Sequence, residues 1–485
     1  MKHTKASVIS SLFWRLMERG GSQGIQFIVQ IILARLLLPE DYGVIAIVTI
    51  FIALSNTFVQ SGFNTALIQK KDADKTDFSS VFYVSMSITA VLYAILFVTS
   101  PLIAKFYNMP ELTAVLRVLA VSLFFGAYNS IQIAYISRNM MFKMLFFSSL
   151  GAFIVSGIAG VVAAYRGYGV WALVTYQLTS QVAVTVILWF IVKWRPAPLF
   201  SFKRVKELFT FGWKILVSSL LNTLYLEVRS LIIGKIYTPA MLGFYNRGKQ
   251  FPTLIVDNID GSIQSVMLPA LSAHQNDALR VKEMVRRSVM TSSFIVFPLM
   301  AGLAVVAEPV IRIVLTDKWL PAVPFMQIFC ITYALRPIHT ANLQAINALG
   351  RSDIFLKLEI IKKIIGIVIL LISIPFGIYA IALGVLINGI ISAFVNAYPS
   401  KTLFDYSYAE QLKDLLPASL LSVFMGAAVF MLGMLKLSVW LTLTIQVASG
   451  VLLYFGASTL FKIDSFLYLT QTFREILSGR RGRDS

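Results

Sequence analysis

Long apolar segments alternate with short polar segments along almost the whole chain. A helix needs about 20 mainly apolar residues to cross the hydrocarbon core of a bilayer. The pattern therefore predicts an all-α polytopic membrane protein with about fourteen transmembrane helices. The approximate spans are 10–37, 42–68, 78–100, 112–136, 144–165, 168–192, 208–236, 240–271, 286–307, 322–348, 354–375, 378–399, 412–433 and 438–461.

The charges of the connecting segments predict the orientation of these helices. Alternate segments, starting with residues 1–9, carry about 25 Lys and Arg, whereas the other segments carry about 7. Basic residues concentrate in cytoplasmic loops. Both termini are therefore expected on the cytoplasmic side of the membrane.

The chain also contains an internal repeat. The segment "FWRLMERG" around Trp14 returns as "GWKILVSS" around Trp213, and "LLLPEDYG" returns as "IYTPAMLG". An even number of spans separates the copies, so the pattern predicts two parallel, pseudo-symmetric six-helix lobes, an arrangement found in transporters. The predicted organisation is an N-lobe at 1–193, a cytoplasmic linker at 194–207, a C-lobe at 208–400, helices 13 and 14 at 401–461, and a cytoplasmic basic tail at 462–485.

The composition agrees with a membrane protein and excludes several other classes. Hydrophobic residues make up 57% of the chain and charged residues only 13%, about half the usual charged fraction. The net charge of +19 lies in short loops rather than in a basic groove, so no nucleic acid is expected to bind.

No cofactor, metal site or enzymatic activity is expected. The single cysteine, Cys330, excludes an internal disulfide, and no histidine pair has the spacing of metal ligands. The segment "GFYNRGKQ" nearly spells a phosphate-binding loop but has Gln250 where a hydroxyl is required. No nucleophile and base stand at catalytic spacing.

Polar residues three and four positions apart form stripes on the first and seventh predicted helices, and the repeat places these stripes at corresponding positions. Charge facing lipid is costly, so we expect a hydrated cleft between the two halves. The candidate cationic binding residues are Arg15, Arg19, Lys214, Arg229, Arg247 and Arg336; the candidate polar lining residues are Gln26, Gln30, Asn56, Gln60, Asn129, Asn222, Tyr225 and Asn342; the candidates for ion coupling are Glu18, Glu227, Asp257 and Asp260.

Two simpler interpretations of these residues remain open. Arginines near helix ends can extend their guanidinium groups to the membrane surface. Asn, Gln and Ser side chains can form ordinary hydrogen bonds between helices. The lone His339 is expected to be a packed or solvated side chain rather than a metal ligand.

Several motifs, in this order and spacing, resemble a known family. They are "ARLLLPEDYGVIAI", "SGFNTALIQKKD", "MLPALSAHQND", "TDKWLPAVPFMQIFCITYALRPI" and "ALGRSDIFLKLEIIKK". Together they are similar to the Wzx-type flippases, polysaccharide transporters of the multidrug/oligosaccharidyl-lipid/polysaccharide superfamily. The resemblance implies a two-lobed transporter in the bacterial cytoplasmic (inner) membrane. It also implies alternating access for an undecaprenyl-pyrophosphate-linked oligosaccharide, with a polysaccharide polymerase and export machinery as partners besides the lipid bilayer.

Three other functions remain open from the sequence. A cation-coupled multidrug antiporter would favour carboxylates in its cavity, whereas the stripes carry more Arg and Lys. A lipid II flippase would use the same chemistry on a different headgroup. A non-transporting scaffold of a glycan-assembly complex would tolerate loss of the intramembrane arginines.

Overall fold

The computed structural model describes residues 5–60, 62–70, 72–435 and 437–477, without the side chains of 5–13, 15–19, 65, 211, 473, 476 and 477. Every regular element in these residues is helical. The α-helices are α1 Lys5–Leu36, α2 Pro39–Gln60, α3 Phe63–Gln69, α4 Lys75–Tyr107, α5 Glu111–Leu119, α6 Ser122–Arg138, α7 Phe142–Tyr165, α8 Val170–Ile191, α9 Phe202–Ile236, α10 Pro239–Ser272, α11 Ala278–Val305, α12 Ala307–Leu315, α13 Val323–Ala334, α14 Arg336–Ala348, α15 Ser352–Ser373, α16 Ile378–Phe404, α17 Tyr408–Gly433, α18 Val439–Leu460 and α19 Asp464–Leu477. Short 3-10 turns cover Asp317–Ala322 and Ile374–Phe376.

The predicted class, an all-helical multi-pass membrane protein, is confirmed. Ten helical segments in the described residues are long and apolar enough to cross a membrane. Large apolar side chains such as Phe190, Leu452 and Leu371 are exposed on their surfaces, as lipid contact requires. The count of fourteen crossings and the cytoplasmic position of the termini stay predictions.

Three of the predicted spans contain a break in the α-helix. Span 42–68 is interrupted before α3, where Gly62 has a φ of +92°. Span 112–136 is divided into α5 and α6, and span 322–348 into α13 and α14. In the last case Pro337 lacks a backbone N–H and its ring excludes a regular turn after Tyr333. Continuous apolar sequence gives no signal for the other two interruptions.

The helices pack into two compact units, Met1–Gly243 and Phe244–Ser485. The boundary lies near the start of α10. These units are defined by how the helices pack, whereas the predicted lobes rest on the internal repeat, and the lobe boundaries stay a prediction.

In the first unit, small residues allow close helix packing. Gly157 of α7 lies against Val29 of α1, and Gly160 of α7 lies against Tyr176 of α8. Close approach of backbones at small residues is a general means of helix association in membranes, where lipid is as apolar as the side chains. These contacts join α1, α7 and α8 into one layer.

The repeated Pro-x-x-x-Gly segments pack against each other within this unit. A Cβ atom at Gly43 would overlap the backbone carbonyl of Pro239, and a Cβ atom at Gly243 would overlap that of Pro39. The contact is therefore reciprocal. The glycine in each copy of the repeat is required by the proline of the other copy.

The second unit has its apolar core where α11 packs against α17, with contributions from α14 and α16. The C-terminal helix α19 joins this core through Phe466, whose ring lies 6.2 Å from Phe294 and 6.0 Å from Phe455 between centroids. The hydroxyl of Tyr454 donates to the carbonyl of Phe294 at 2.8 Å. The predicted basic tail at 462–485 therefore begins with an ordered, packed helix.

We expect Gly43→Ala to destabilise the first unit by about 1–3 kcal/mol, because the added methyl group must push α2 away from Pro239. The midpoint of thermal unfolding in detergent measures this loss.

Gly261→Ala is the matched control, since a Cβ atom at Gly261 in α10 meets no heavy atom within 4 Å. It is expected to leave the midpoint unchanged or raise it slightly, because Ala is the better helix former. Equal midpoints for both variants would contradict the close contact at Gly43.

Candidate functional site

One face of α9 carries a row of polar side chains that are not buried. We call Lys214, Ser218, Asn222, Tyr225 and Arg229 the α9 row. Lys214, Ser218 and Asn222 are exposed, and Tyr225 and Arg229, further along the same face, are half-buried. The row lies within Gly212–Ile236, the least buried of the ten candidate spans in the described residues. The predicted stripe of the seventh span is thus presented on an accessible surface.

At one end of the row, the guanidinium of Arg229 lies 5.4 Å from the ring centroid of Tyr225. This distance allows a cation–π contact that holds the arginine along the row. Glu227 lies two residues from each of them, on the opposite side of the helix. The carboxylate of Glu227 is therefore separated from the α9 row.

On α1, the structure describes the side chains of only some of the candidate polar residues. Gln26 and Gln30 of α1 are half-buried, and the side chains of Arg15, Glu18 and Arg19 lie outside the described residues. On α2, Gln60 Nε2 donates to Asn56 Oδ1 at 3.2 Å.

A hydroxyl pair links α2 to α9. The Oγ1 atoms of Thr57 and Thr223 are 3.3 Å apart, at hydrogen-bond distance. Thr223 follows Asn222 directly in sequence, so this hydrogen bond holds α9 against α2 beside the α9 row.

Two predicted lining residues lie in the interior of their units. Asn129 accepts a hydrogen bond from Thr185 at 2.9 Å and donates to Gln181 at 3.3 Å. Asn342 is fully buried and donates to Gln411 at 2.9 Å. Gln411 donates back at 3.1 Å, and Ser400 donates to Asn342 at 2.7 Å. These amides connect helices by hydrogen bonds, and their role in lining a substrate path stays a prediction.

The second unit contains a cluster of charged side chains where α13 meets α14. Arg336, the first residue of α14, places its Nη1 atom 3.2 Å from Oδ1 of Asp257 and 3.6 Å from Oδ2 of Asp260. Its guanidinium lies 5.0 Å from the ring centroid of Tyr333. The structure therefore brings one predicted cationic residue together with two predicted ion-coupling residues. We call Arg336, Asp257 and Asp260 the Arg336 cluster.

The two aspartates of this cluster differ in their surroundings. The side chain of Asp257 is 52% exposed, whereas that of Asp260 is 4% exposed. Among the described residues, neither carboxylate oxygen of Asp260 accepts a hydrogen bond of regular geometry, although the Thr340 hydroxyl and the Arg336 guanidinium lie nearby. A buried carboxylate without hydrogen bonds is costly unless a nearby cation or a bound proton neutralises it. Arg336 is the nearest such cation.

Sequence reasoning missed part of the surroundings of this cluster. Asn396 on α16 lies 3.1 Å from Nδ1 of His339, one turn after Arg336. Lys362 of α15, which was also missed, forms an ion pair with Glu359 on the same helix. The high charge of "KLEIIKK" within a predicted span could have identified Lys362 as a candidate.

Arg247 has a packed environment. It is buried, donates to Gln250 through Nη1, and lies 5.8 Å from the ring centroid of Trp319. These contacts within the second unit anchor α10 to the 3-10 turn that contains Trp319. Its predicted contact with substrate is untested.

The helical spans and their accessible polar rows define a multi-pass membrane protein with polar side chains inside its apolar segments. Residues 32–324 match the sequence profile of the family described as "Polysaccharide biosynthesis protein". This match covers more than half of the chain, so the protein belongs to that family. The resemblance to polysaccharide transporters drawn from the motifs is confirmed.

Two relatives illustrate the family. The chain is 30% identical over 300 residues to the teichuronic acid biosynthesis protein TuaB of Bacillus subtilis (strain 168), covering 60% of this chain and 61% of TuaB. It is 20% identical over 358 residues to the succinoglycan biosynthesis transport protein ExoT of Rhizobium meliloti (strain 1021), covering 74% of this chain and 72% of ExoT.

The fold matches a solved structure over nearly its full length. The lipid II flippase MurJ, in an inward closed conformation, superposes with a TM-score of 0.76 and covers 93% of this chain and 99% of MurJ. Sequence identity is 17%, so the likeness establishes the fold and nothing further.

We expect Arg336→Gln to destabilise the second unit by about 3 kcal/mol, because it leaves Asp260 buried without a neutralising cation. The double variant Arg336→Gln with Asp260→Asn is expected to recover most of that loss. Thermal unfolding of the four members of this cycle in detergent measures the coupling free energy.

Arg351→Gln serves as the control, since it breaks an ion pair with Asp353 whose partners are both about half-exposed. Its effect should stay under about 1 kcal/mol. If the losses of Arg336→Gln and Asp260→Asn simply add, Asp260 does not depend on Arg336.

Proposed function

We propose that this protein is a flippase that moves an undecaprenyl-pyrophosphate-linked oligosaccharide across the bacterial cytoplasmic membrane by alternating access. The observation that carries the proposal is the α9 row, which presents cations and hydroxyl or amide groups on a helix of membrane-spanning length. Such groups would not be stable against lipid, and they match the groups of a glycan phosphate.

The charge of the row favours an anionic passenger. Lys214 and Arg229 are its two charged members, and the carboxylate of Glu227 lies on the other side of α9. Arg binds phosphate and carboxylate groups in bidentate geometry. The relatives TuaB and ExoT are named for teichuronic acid biosynthesis and succinoglycan biosynthesis transport, which supports a glycan passenger. In this proposal Asn222 and Tyr225 contact sugar hydroxyls.

We propose that the Arg336 cluster couples an ion gradient to this movement. Asp260 is a buried carboxylate whose only close cation is the Arg336 side chain among the described residues. A change in the position of Arg336 would alter the affinity of Asp260 for a proton or a small cation. The exposed Asp257 would give that ion a route from water.

We expect the variant Lys214→Gln with Arg229→Gln to transport an acidic, fluorescent undecaprenyl-pyrophosphate oligosaccharide at least about tenfold more slowly than wild type in proteoliposomes. Each lost charge-assisted hydrogen bond weakens binding by roughly 1.5–3 kcal/mol. The initial rate of label appearing in the opposite leaflet, at low substrate, measures the effect.

The charge-matched control is Lys203→Gln with Lys206→Gln, which removes two exposed cations from the first turns of the same helix. It should transport at nearly the wild-type rate. Equal rates for both double variants would place the anion path away from α9. Transport of organic cations instead of the glycan lipid would favour a multidrug antiporter.

For the coupling step, we expect Asp260→Asn to abolish the acceleration of transport by an imposed proton or sodium gradient while leaving downhill movement intact. The amide keeps the shape of the carboxylate but cannot take up a cation or a proton at physiological pH. The ratio of rates with and without the gradient measures coupling. A wild-type rate that ignores both gradients would reject this role for Asp260.

A further inference from the structure

A mixed-charge cavity lies in the second unit between the first half of α11 and the C-terminal helix α19. Its volume is about 680 Å³, within the usual range of small-molecule sites. Its lining residues recur at helical spacing on both helices, so two helix faces form its walls. They are Arg280, Glu283, Met284, Arg286, Arg287, Met290, Thr291, Asp464, Ser465, Tyr468 and Gln471.

Two arginines of this cavity are available to a ligand. Neither Arg280 nor Arg287 forms an ion pair within 4.0 Å with any side chain that the structure describes. Arg287 lies 4.2 Å from the ring centroid of Tyr468, which holds its guanidinium against α19. Arg286 differs, because its Nε and Nη2 atoms donate to Asp414 at 2.7 and 2.6 Å.

Two carboxylates line the same cavity and are equally available. Glu283 and Asp464 are not buried, and neither is paired with a described cation. With Arg286 neutralised by Asp414, the remaining charges of the cavity balance. A purely anionic ligand would therefore meet two unpaired carboxylates, whereas a ligand carrying both signs would satisfy all four groups.

The position of the cavity indicates a lipid rather than a soluble ligand. It lies at one end of two membrane-length helices, α11 and α18. Leu279 and Leu467, which are sequence neighbours of the lining residues Arg280 and Tyr468, are 68% and 47% exposed, and Leu460 at the end of α18 is 76% exposed. Helix α19 has an apolar face packed on the unit and a polar opposite face, as interfacial helices do. We therefore expect the cavity to lie at the depth where headgroups meet acyl chains.

We propose that this cavity binds the headgroup of a zwitterionic phospholipid that carries a phosphate and a primary ammonium group. Arg280 and Arg287 bind the phosphate, and Glu283 and Asp464 bind the ammonium. The acyl chains extend out of the cavity over the exposed side chains of Leu279 and Leu467. This site is separate from the α9 row and the Arg336 cluster, and the proposal does not depend on the transported substrate.

The test is native mass spectrometry of the full-length protein titrated with phosphatidylethanolamine or phosphatidylglycerol in detergent. Wild type is expected to retain phosphatidylethanolamine at least about tenfold more tightly than phosphatidylglycerol. Arg280→Gln with Arg287→Gln should weaken retention of phosphatidylethanolamine by about tenfold or more. Glu283→Gln with Asp464→Asn should remove the preference between the two lipids.

Charge-matched controls and a soluble competitor separate the alternatives. Lys203→Gln with Lys206→Gln should bind both lipids as wild type does, and all variants must elute as wild type does in size exclusion. Excess glycerophosphoethanolamine should fail to displace the lipid, because it lacks the acyl chains. Equal retention of the two lipids by wild type, an unaffected arginine double variant, or displacement by the soluble headgroup would each overturn the proposal.

Discussion

The cost of placing a charged group in hydrocarbon is the constraint on which the rest of this structure depends. A charged side chain within a membrane span must reach water, pair with an opposite charge, or be enclosed by protein. In the proposed function Lys214 meets this constraint by facing water from the exposed face of α9, and Asp260 meets it by its ion pair with Arg336. Arg247 meets it by packing against Trp319 with Gln250 as acceptor. The three charged side chains therefore lie in three different environments.

The helix pattern was readable from the sequence because apolar periodicity acts locally. The α9 row follows directly from residues spaced three and four apart, and its accessibility agrees with that pattern. The pairing of Asn342 with Gln411 was not readable, because the two residues are 69 positions apart and many helices of this protein carry amides. Asn396 was missed for a related reason, since its contact with His339 depends on how α16 packs against α14.

The internal repeat explains why glycine stands inside a helix at two corresponding positions. A glycine within a helix is unfavourable by itself. At Gly43 and Gly243 the absence of a side chain permits two backbones to approach. Each glycine packs against the backbone of the proline in the other copy of the repeat. The sequence shows that the two segments are alike, but it does not show that they touch. Reciprocal packing of this kind is what a pseudo-twofold relation produces, as in a symmetric dimer interface.

The break between α13 and α14 shows how irregular backbone and charge are combined. Pro337 prevents a continuous helix, and the interruption places Arg336 at the start of α14, facing both aspartates of α10. Asp257 can be neutralised by water and counterions because half of its side chain is exposed, whereas Asp260 is buried and Arg336 is its ion-pair partner among the described residues. The charge state of Asp260 is therefore tied to the position of Arg336. In the proposed coupling role, a displacement of Arg336 at this helix break would change the cost of a charge on Asp260 without any rearrangement of Asp260 itself.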